Sequence, residues 1–193
     1  MIKRIGLTGG IGSGKTTIAR ILEAMSFPVY YSDYRSKELC DHDPGIQSQL
    51  TSLFGSKAYE DGKLNRPFLS ERIFTNPELR QKVNEIIHPV VRKDFEDWAS
   101  TQTSALIFNE AAILFETGAY KQFDAVVLVC APISKRIERV MLRDLCDKAS
   151  VEQRIQSQWT DEQKRSLTNY CIENNGIQPV LIQVEELLMK LHS

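Results

Sequence analysis

The chain has 193 residues, of which 42% are hydrophobic and 25% are charged, and its formal net charge is −1. This composition is ordinary for one globular domain, and the absence of a basic excess argues against a nucleic-acid binder. The longest apolar run, residues 125–133, is too short to cross a bilayer. The four cysteines include no C-x-x-C pair, so we do not expect structural zinc.

The N-terminal segment is the most informative part of the sequence. An apolar run over residues 2–7 predicts a strand, and residues 17–25 have the spacing of a helix. The turn between them, residues 9–16, matches G-x-x-x-x-G-K-[ST] in full. Glycines let backbone N–H groups face an anion, and the helix N-terminus adds its positive dipole end. A chance glycine-rich turn is the alternative, and the strand and helix around the match disfavour it.

The loop therefore predicts a nucleotide-phosphate site. We expect Lys15 to reach the β- and γ-phosphates and the hydroxyl of Thr16 to bind Mg²⁺. The predicted nucleotide-binding residues of this segment are Gly10, Ile11, Gly12, Ser13, Gly14, Lys15, Thr16 and Thr17. Because the loop follows the first strand directly, we expect no signal peptide and a cytoplasmic protein.

Four further apolar runs predict strands at residues 28–31, 105–108, 125–130 and 180–182. Continuous apolar strands that alternate with helices are typical of a parallel sheet covered on both faces. The sequence therefore predicts an α/β fold of three layers around a five-stranded parallel sheet. In such sheets ligands bind at the carboxyl ends of the strands.

Two segments stand apart from this pattern and divide the predicted domain. Residues 36–99 have helical spacing and almost no strand signal, which predicts a helical insertion that binds the acceptor. Residues 134–164 are polar and rich in arginine, which predicts a lid. The predicted core then comprises residues 1–35, 100–133 and 165–193.

The lid prediction rests on Arg136, Arg139 and Arg143, which are spaced by three and four residues and so share one helix face. Guanidinium groups placed there could neutralise charge on a transferring phosphoryl group. The alternative is a solvated helix face with Glu138 and Asp144 as partners. Because the segment follows a strand of a phosphate-loop protein, we favour the lid, with Arg143 first.

Acidic residues follow two of the predicted strands. Asp33 comes just after the second strand, where its carboxylate could accept the proton of an attacking hydroxyl, although Ser32-Asp33 also resembles a helix start. After the third strand, Glu110 could bind substrate hydroxyls or help Mg²⁺ through water. Glu116, farther along the same loop, has the same interpretation, and an ordinary solvated loop is the alternative for both.

Two residues of the insertion are weaker candidates. Arg66 precedes Pro67 in a predicted loop and could bind a substrate phosphate. His88 precedes Pro89 at the predicted end of a helix, where a cap or a packed side chain is the commoner role.

Taken together, these residues resemble the dephospho-coenzyme A kinase family over nearly the whole chain. The phosphate loop from Leu7 to Lys15 has the family's own form. The run Glu71-Arg72-Ile73-Phe74, Asn76-Pro77 and Ile87-His88-Pro89 is similar to its signature in the insertion and is far more specific. Further matches are Ile113-Leu114-Phe115-Glu116, the set Arg139, Met141, Arg143 and Asp144, and the set Ile172, Asn174, Asn175 and Gly176.

The resemblance implies a P-loop kinase fold and phosphorylation of the 3′-hydroxyl of dephospho-coenzyme A by ATP with Mg²⁺, the last step of coenzyme A synthesis. It makes Asp33 the base, Arg143 a residue over the phosphates, and Arg66 and His88 acceptor-site residues. Glu110 is assigned to the substrate, and Arg139 and Asn175 to the nucleotide. The implied partners are ATP and dephospho-coenzyme A, without nucleic acid or membrane, in a monomer or weak homo-oligomer.

The sequence departs from the family pattern at three places. Tyr31 replaces an acid that often precedes the base, Ala112 replaces a proline, and Thr168-Asn169 replaces an alanine-aspartate pair. Another small-molecule kinase, such as a nucleoside monophosphate kinase, is the nearest alternative, and Ile87-His88-Pro89 argues against it. A GTP-dependent switch would carry an Asn-Lys-x-Asp segment, which the chain lacks, and intact Lys15, Thr16 and Asp33 disfavour a purely structural relative.

Overall fold

The computed structural model describes residues 2–74 and 76–192. Its strands are β1 (Lys3–Thr8), β2 (Val29–Tyr31), β3 (Tyr59–Glu60), β4 (Lys63–Leu64), β5 (Leu106–Glu110), β6 (Ala125–Cys130) and β7 (Tyr170–Glu173). Its α-helices are α1 (Lys15–Ala24), α2 (Ser32–His42), α3 (Pro44–Phe54), α4 (Arg66–Phe74), α5 (Pro77–Ser100), α6 (Ile133–Asp144), α7 (Lys148–Gln156), α8 (Asp161–Arg165) and α9 (Val180–His192). Within the described residues, none of these helices combines the length and apolarity needed to span a bilayer.

Five strands form one parallel sheet in the order β2-β5-β1-β6-β7. Leu7 of β1 lies opposite Glu110 of β5 and Val127 of β6. The carboxyl ends of the strands therefore meet at one edge, where the chain leaves β1 for the phosphate loop. The predicted α/β fold with a five-stranded parallel sheet is confirmed.

Strand β6 shows why its apolar run is continuous. Val127 and Val129 pack in a core with α1 and α9, whereas Val126, Leu128 and Cys130 pack in a second core with the segment that follows β5. Both faces of the strand are buried, so it carries no polar alternation. Each such buried side chain contributes about 1.5–3 kcal/mol to folding.

The predicted strand at residues 180–182 is wrong, because these residues begin helix α9. The buried residues of α9 are Val184, Leu187, Leu188 and Leu191, whose spacing is that of one helix face. The fifth strand of the sheet is instead β7, in which Ile172 is the fully buried residue. Its short run of mixed polar and apolar residues carries no clear strand signal.

Ser32–Thr101 form a compact unit of their own within the chain. The predicted insertion, residues 36–99, lies inside this unit, and its core includes Ile46, Leu50 and Val83. Asp43 begins α3 by accepting a hydrogen bond from the Ile46 N–H at 2.8 Å, as an N-cap residue does. The unit also contains an antiparallel pair, β3 and β4, that the sequence did not predict.

The prediction that a helix ends at His88-Pro89 is also wrong. Helix α5 continues through Pro89, from Pro77 to Ser100. A proline inside a helix removes one backbone donor and normally bends or ends the helix. Here Val83 lies buried before Pro89, and Phe95 and Ala99 lie buried after it, so packing holds both halves of the helix.

The segment predicted as a lid, residues 134–164, contains most of α6, all of α7 and the start of α8. Helix α6 ends at Asp144, and the C-cap residue Leu145 has a left-handed φ of 50°. Asp147 then caps α7 by accepting a hydrogen bond from the Ser150 N–H at 2.7 Å. Thr160 and Gln163 form a capping box at the start of α8.

The four cysteines are free thiols. Cys40 and Cys130 are buried, whereas Cys146 and Cys171 are half-buried. Burial raises the pKa of Cys130 to about 12, and it also raises the pKa values of Cys40 and Cys171.

Candidate active site

The phosphate loop is shaped by three glycines whose φ angles are positive. Gly9 has a φ of 155°, and a Cβ atom there would lie 2.3 Å from the carbonyl oxygen of Val129 in β6. Gly14 has a φ of 97°, and its Cβ would lie 2.1 Å from Nδ2 of Asn174. Gly12 has a φ of 77°. Side chains at these positions would be strained by the backbone and obstructed by their neighbours.

The polar groups of the loop gather at the start of α1. Lys15 is buried, and its Nζ donates a hydrogen bond to the carbonyl oxygen of Gly9 at 2.9 Å. Thr16 and Thr17 follow in the exposed first turn of the helix. Oγ of Ser13 is buried and has no hydrogen-bond partner within the described residues. A buried, unpaired hydroxyl beside a helix N-terminus is a feature that a bound oxyanion would satisfy.

Side chains from α6 and from the end of β7 hold the outer side of the loop. Asn174 donates from Nδ2 to the carbonyl oxygen of Ser13 at 2.8 Å. Arg139 donates to the same oxygen at 3.3 Å and to the carbonyl oxygen of Asn174 at 3.1 Å. Because a trans peptide points its N–H opposite to its C=O, these bonds orient the N–H of Gly14 the other way.

Asn174, which the sequence placed in the C-terminal motif without a role, thus supports the loop, whereas the side chain of Asn175 makes local hydrogen bonds. The Oδ1 of Asn175 accepts hydrogen bonds from the N–H groups of Ile177 and Gln178, at 2.8 and 3.4 Å. This pattern is that of a local turn. The assignment of Asn175 to the nucleotide stays a prediction.

Arg143 lies at the opposite end of α6 from the loop-facing arginines. Its side chain is 62% exposed and donates from Nε to Oδ1 of Asp144 at 2.7 Å. Arg154 donates to the other oxygen of Asp144 at 2.8 Å. The hydrogen bond from Arg143, with help from Arg154, lowers the pKa of Asp144 to about 2.

Glu110 closes strand β5 and is buried. It lies opposite Leu7 of β1 on one side and Tyr31 of β2 on the other. Tyr31, which replaces the family's acid, donates its hydroxyl proton to Oε2 of Glu23 at 2.8 Å. Burial, followed by this hydrogen bond to Glu23, raises the pKa of Tyr31. Position 31 therefore presents a neutral hydroxyl that is directed to α1.

Glu116 is no solvated loop residue, because it pairs with a buried lysine that the sequence did not reveal. Nζ of Lys164, which is 0% exposed, lies 2.7 Å from Oε1 of Glu116. The same oxygen accepts a hydrogen bond from the Trp159 N–H at 3.1 Å. The pair joins α8 to the segment after β5, and no local sequence pattern connects these two segments.

The remaining predicted residues belong to the unit of Ser32–Thr101. Asp33 lies in the first turn of α2, where a carboxylate is stabilised by the helix dipole. Arg66 begins α4, and its Nη2 lies 3.0 Å from Oδ1 of Asp41 and 2.9 Å from the carbonyl oxygen of Lys37. His88 is half-buried in α5, and burial, with the charge of Arg92 in support, lowers its pKa.

Relatives of known family match almost the whole chain. The dephospho-CoA kinase family model matches residues 3–179. A dephospho-CoA kinase of Bacteroides fragilis (strain YCH46) is 39% identical over 193 residues, which is 100% of this chain and 94% of that protein. One of Porphyromonas gingivalis is 47% identical over 163 residues, covering 84% of this chain and 79% of the relative.

A solved structure has the same fold. The crystal structure of TT1252 from Thermus thermophilus superposes with a TM-score of 0.91 at 29% identity, covering 100% of this chain and 98% of that one. The family match extends from the phosphate loop through the insertion to the C-terminal segment that holds Asn174 and Asn175. The chain belongs to the dephospho-CoA kinase family.

Proposed function

We propose that this protein transfers the γ-phosphoryl group of ATP to the 3′-hydroxyl of dephospho-coenzyme A, giving coenzyme A and ADP. The observation that carries the proposal is the phosphate loop of residues 9–16, set in a chain that belongs to this family from residue 3 to residue 179. The reaction would be the last step of coenzyme A biosynthesis, carried out in the cytoplasm by a monomer or weak homo-oligomer.

The phosphate loop would bind the nucleotide. The nucleotide would lie against the residues from Gly10 to Thr17, with phosphates contacted by backbone N–H groups of the loop and of the first turn of α1 other than that of Ile11, which donates to Gln158. Lys15 would exchange its hydrogen bond with Gly9 for the β- and γ-phosphates, and so neutralise charge on the leaving group. Arg139, which already supports the loop, and Asn175 would lie near the nucleotide.

Oxygen donors from α1 and β5 would serve a magnesium ion. Thr16 would offer a hydroxyl oxygen at the helix start, and Glu110, at the end of β5, would help the ion through water or bind substrate hydroxyls. Oxygen donors of this kind suit Mg²⁺, which retains several waters in such sites. When bound, the ion supplies positive charge that stabilises the phosphates during transfer.

Asp33, Arg66 and His88 would bind the acceptor. Asp33 would accept the proton of the 3′-hydroxyl and orient its oxygen for in-line attack on the γ-phosphorus, whose bond to the ADP oxygen breaks. Arg66 and His88 would contact the acceptor in the insertion. Arg143 would leave Asp144 and cover the phosphates, where it would exclude water and stabilise charge.

The decisive experiment measures ADP release from Mg·ATP with dephospho-coenzyme A and, separately, with AMP, adenosine and shikimate. We expect turnover with dephospho-coenzyme A alone, and ATP binding that GTP does not compete away. Equal or better turnover with another acceptor would remove the proposed substrate, and competition by GTP would favour a GTP-dependent switch.

The role of Asp33 has its own test in the Asp33→Asn variant. We expect turnover to fall by about 10²–10⁴-fold, since the general base is lost, while the affinity for ATP stays nearly the same. Asp61→Asn, an exposed aspartate of the same unit, is the matched control. Turnover of Asp33→Asn close to that of the parent would exclude Asp33 as the base.

A further inference from the structure

Ile11, at the tip of the phosphate loop, is held by side chains at both of its backbone polar groups. Its N–H donates to Oε1 of Gln158 at 2.8 Å, and its carbonyl oxygen accepts from Nε of Arg136 at 2.9 Å. Gln158 lies between α7 and α8, and Arg136 lies in the second turn of α6. Two segments remote in sequence therefore fix the peptide groups of one loop residue.

Arg136 is unusual among the arginines of α6 because it is only 3% exposed. A buried guanidinium is costly unless it is paired and hydrogen-bonded. Here its Nη1 lies 3.4 Å from Oδ1 of Asp161, the first residue of α8, in addition to the bond from Nε to Ile11. The guanidinium group is thus held on two sides and cannot move aside freely.

The position of Arg136 explains why residue 10 is glycine, which its backbone φ angle does not explain. Gly9, Gly12 and Gly14 have positive φ angles, whereas the φ of Gly10 lies outside the left-handed region. A Cβ atom on Gly10 would nevertheless lie 2.0 Å from Nη2 and 2.5 Å from Cζ of Arg136. Such a contact would be cheap with a mobile side chain, but this guanidinium is fixed by Ile11 and Asp161.

We propose that Arg136 and Gln158 are positioning residues that set the shape of the phosphate loop before ATP arrives, and that residue 10 must be glycine because of Arg136. This inference rests on the proposed use of ATP at the loop. Neither side chain needs to touch the nucleotide, because each acts through the backbone of Ile11. The bond to the Ile11 carbonyl makes the N–H of Gly12 point in the opposite direction, since both groups lie in one trans peptide plane. A loop fixed in advance loses less conformational entropy on binding, which increases affinity.

The test compares Arg136→Ala, Arg136→Lys and Gln158→Leu by calorimetric titration with Mg·ATP and, separately, with dephospho-coenzyme A. We expect the Kd for Mg·ATP to rise by about tenfold or more in Arg136→Ala and about threefold in Gln158→Leu, which keeps the volume and removes the acceptor. Arg136→Lys keeps a donor and should recover part of the loss. In all three variants, the Kd for dephospho-coenzyme A should stay within about twofold of the parent, and KM for ATP should change more than kcat.

A double-mutant cycle tests the claim about Gly10. Gly10→Ala should weaken Mg·ATP binding by about 100-fold in the parent and by less than about threefold when Arg136 is already alanine. Arg165→Ala, which removes an arginine that pairs with Glu173 of β7, is the control for general loss of charge.

Equal costs of Gly10→Ala in the two backgrounds would overturn the claim about Gly10. Unchanged ATP affinity in a folded Arg136→Ala or in Gln158→Leu would overturn the positioning role. If Arg136→Ala does not fold, Gln158→Leu and Arg136→Lys decide the question. If the parent protein binds no Mg·ATP, the proposed function fails, and this inference fails with it.

Discussion

The two ends of helix α6 differ more than their sequences suggest. At the first end, Arg136 is 3% exposed and is fixed to the phosphate loop and to Asp161. At the other end, Arg143 is 62% exposed and pairs with its neighbour Asp144. We call the first end, with α8, the anchored base and the second, from Leu142 to Asp147, the outer end. One arginine-rich helix can therefore support a binding loop with one end and leave the arginine of its other end exposed to solvent.

The largest expected effect on stability concerns the anchored base, where Lys164 and Glu116 are paired. Replacing Glu116 by Gln leaves the ammonium group of Lys164 buried without its carboxylate. We expect the free energy of unfolding in urea to fall by about 3 kcal/mol. The double variant with Lys164→Met, which removes both charges, should regain most of this loss. Stability of Glu116→Gln equal to the parent's would mean that the base is not held by this pair.

At the outer end we expect the reverse, a loss of catalysis without a loss of stability. Arg143→Ala should lower kcat by about 10²-fold, because a cation that would stabilise the transferring phosphoryl group is removed. Its melting temperature should stay close to the parent's, since the side chain is exposed. Leu142→Ala, which changes the exposed neighbouring side chain, serves as the control. A kcat of Arg143→Ala near the parent value would show that Arg143 does not contribute to turnover.

Two glycine substitutions near the end of α6 should have smaller effects, of opposite sign, on the free energy of unfolding. Leu145 is 91% exposed and adopts a left-handed conformation that strains a side chain. Leu145→Gly should therefore raise the free energy of unfolding by about 0.5–1 kcal/mol. Leu142→Gly, within the helix, should lower it by about 1 kcal/mol. If both glycines destabilise the protein equally, Leu145 is not strained.

The smallest expected effect is the pH dependence of stability that Asp144 contributes at the outer end. The pKa of Asp144 is lowered to about 2 by its hydrogen bond from Arg143, against about 3.9 in the unfolded chain. Its stabilising contribution is therefore present above about pH 4 and is lost as pH falls toward 2. Because solvent screens the pair of Arg143 and Asp144, we expect its contribution to the free energy of unfolding to be less than about 0.5 kcal/mol. NMR titration of the Asp144 carboxyl carbon, in the parent and in Arg143→Ala, measures the pKa directly, and an unchanged pKa in the variant would show that Arg143 does not lower it.

The same contrast explains what the sequence could and could not predict. The strands β1, β5 and β6 were predictable because burial on both faces requires continuous apolar runs. Residues 180–182 are equally apolar, yet they form the first turn of α9, because the helical spacing of Val184, Leu187, Leu188 and Leu191 prevails. Local hydrophobicity alone does not distinguish these two outcomes.

The candidate site also contains features that the sequence predicted and features that it did not. The phosphate loop was predictable because its chemistry is confined to eight consecutive residues. The regular spacing of Arg136, Arg139 and Arg143 indicated a shared face but not which arginine is buried, since burial depends on contacts with Ile11 and Asp161. The roles of Gln158, Lys164 and Asn174 depend on partners more than 40 positions away, which no spacing rule reveals.

The burial of the cysteines has a consequence for the proposed substrate and product, each of which carries a thiol. A thiol forms mixed disulfides through its thiolate, and with a pKa of about 12 Cys130 is almost entirely protonated near neutral pH. Burial acts in the same direction on Cys40 and Cys171. Because Cys40 and Cys130 are also buried, they are poor targets for oxidised forms of the molecules that this enzyme would bind.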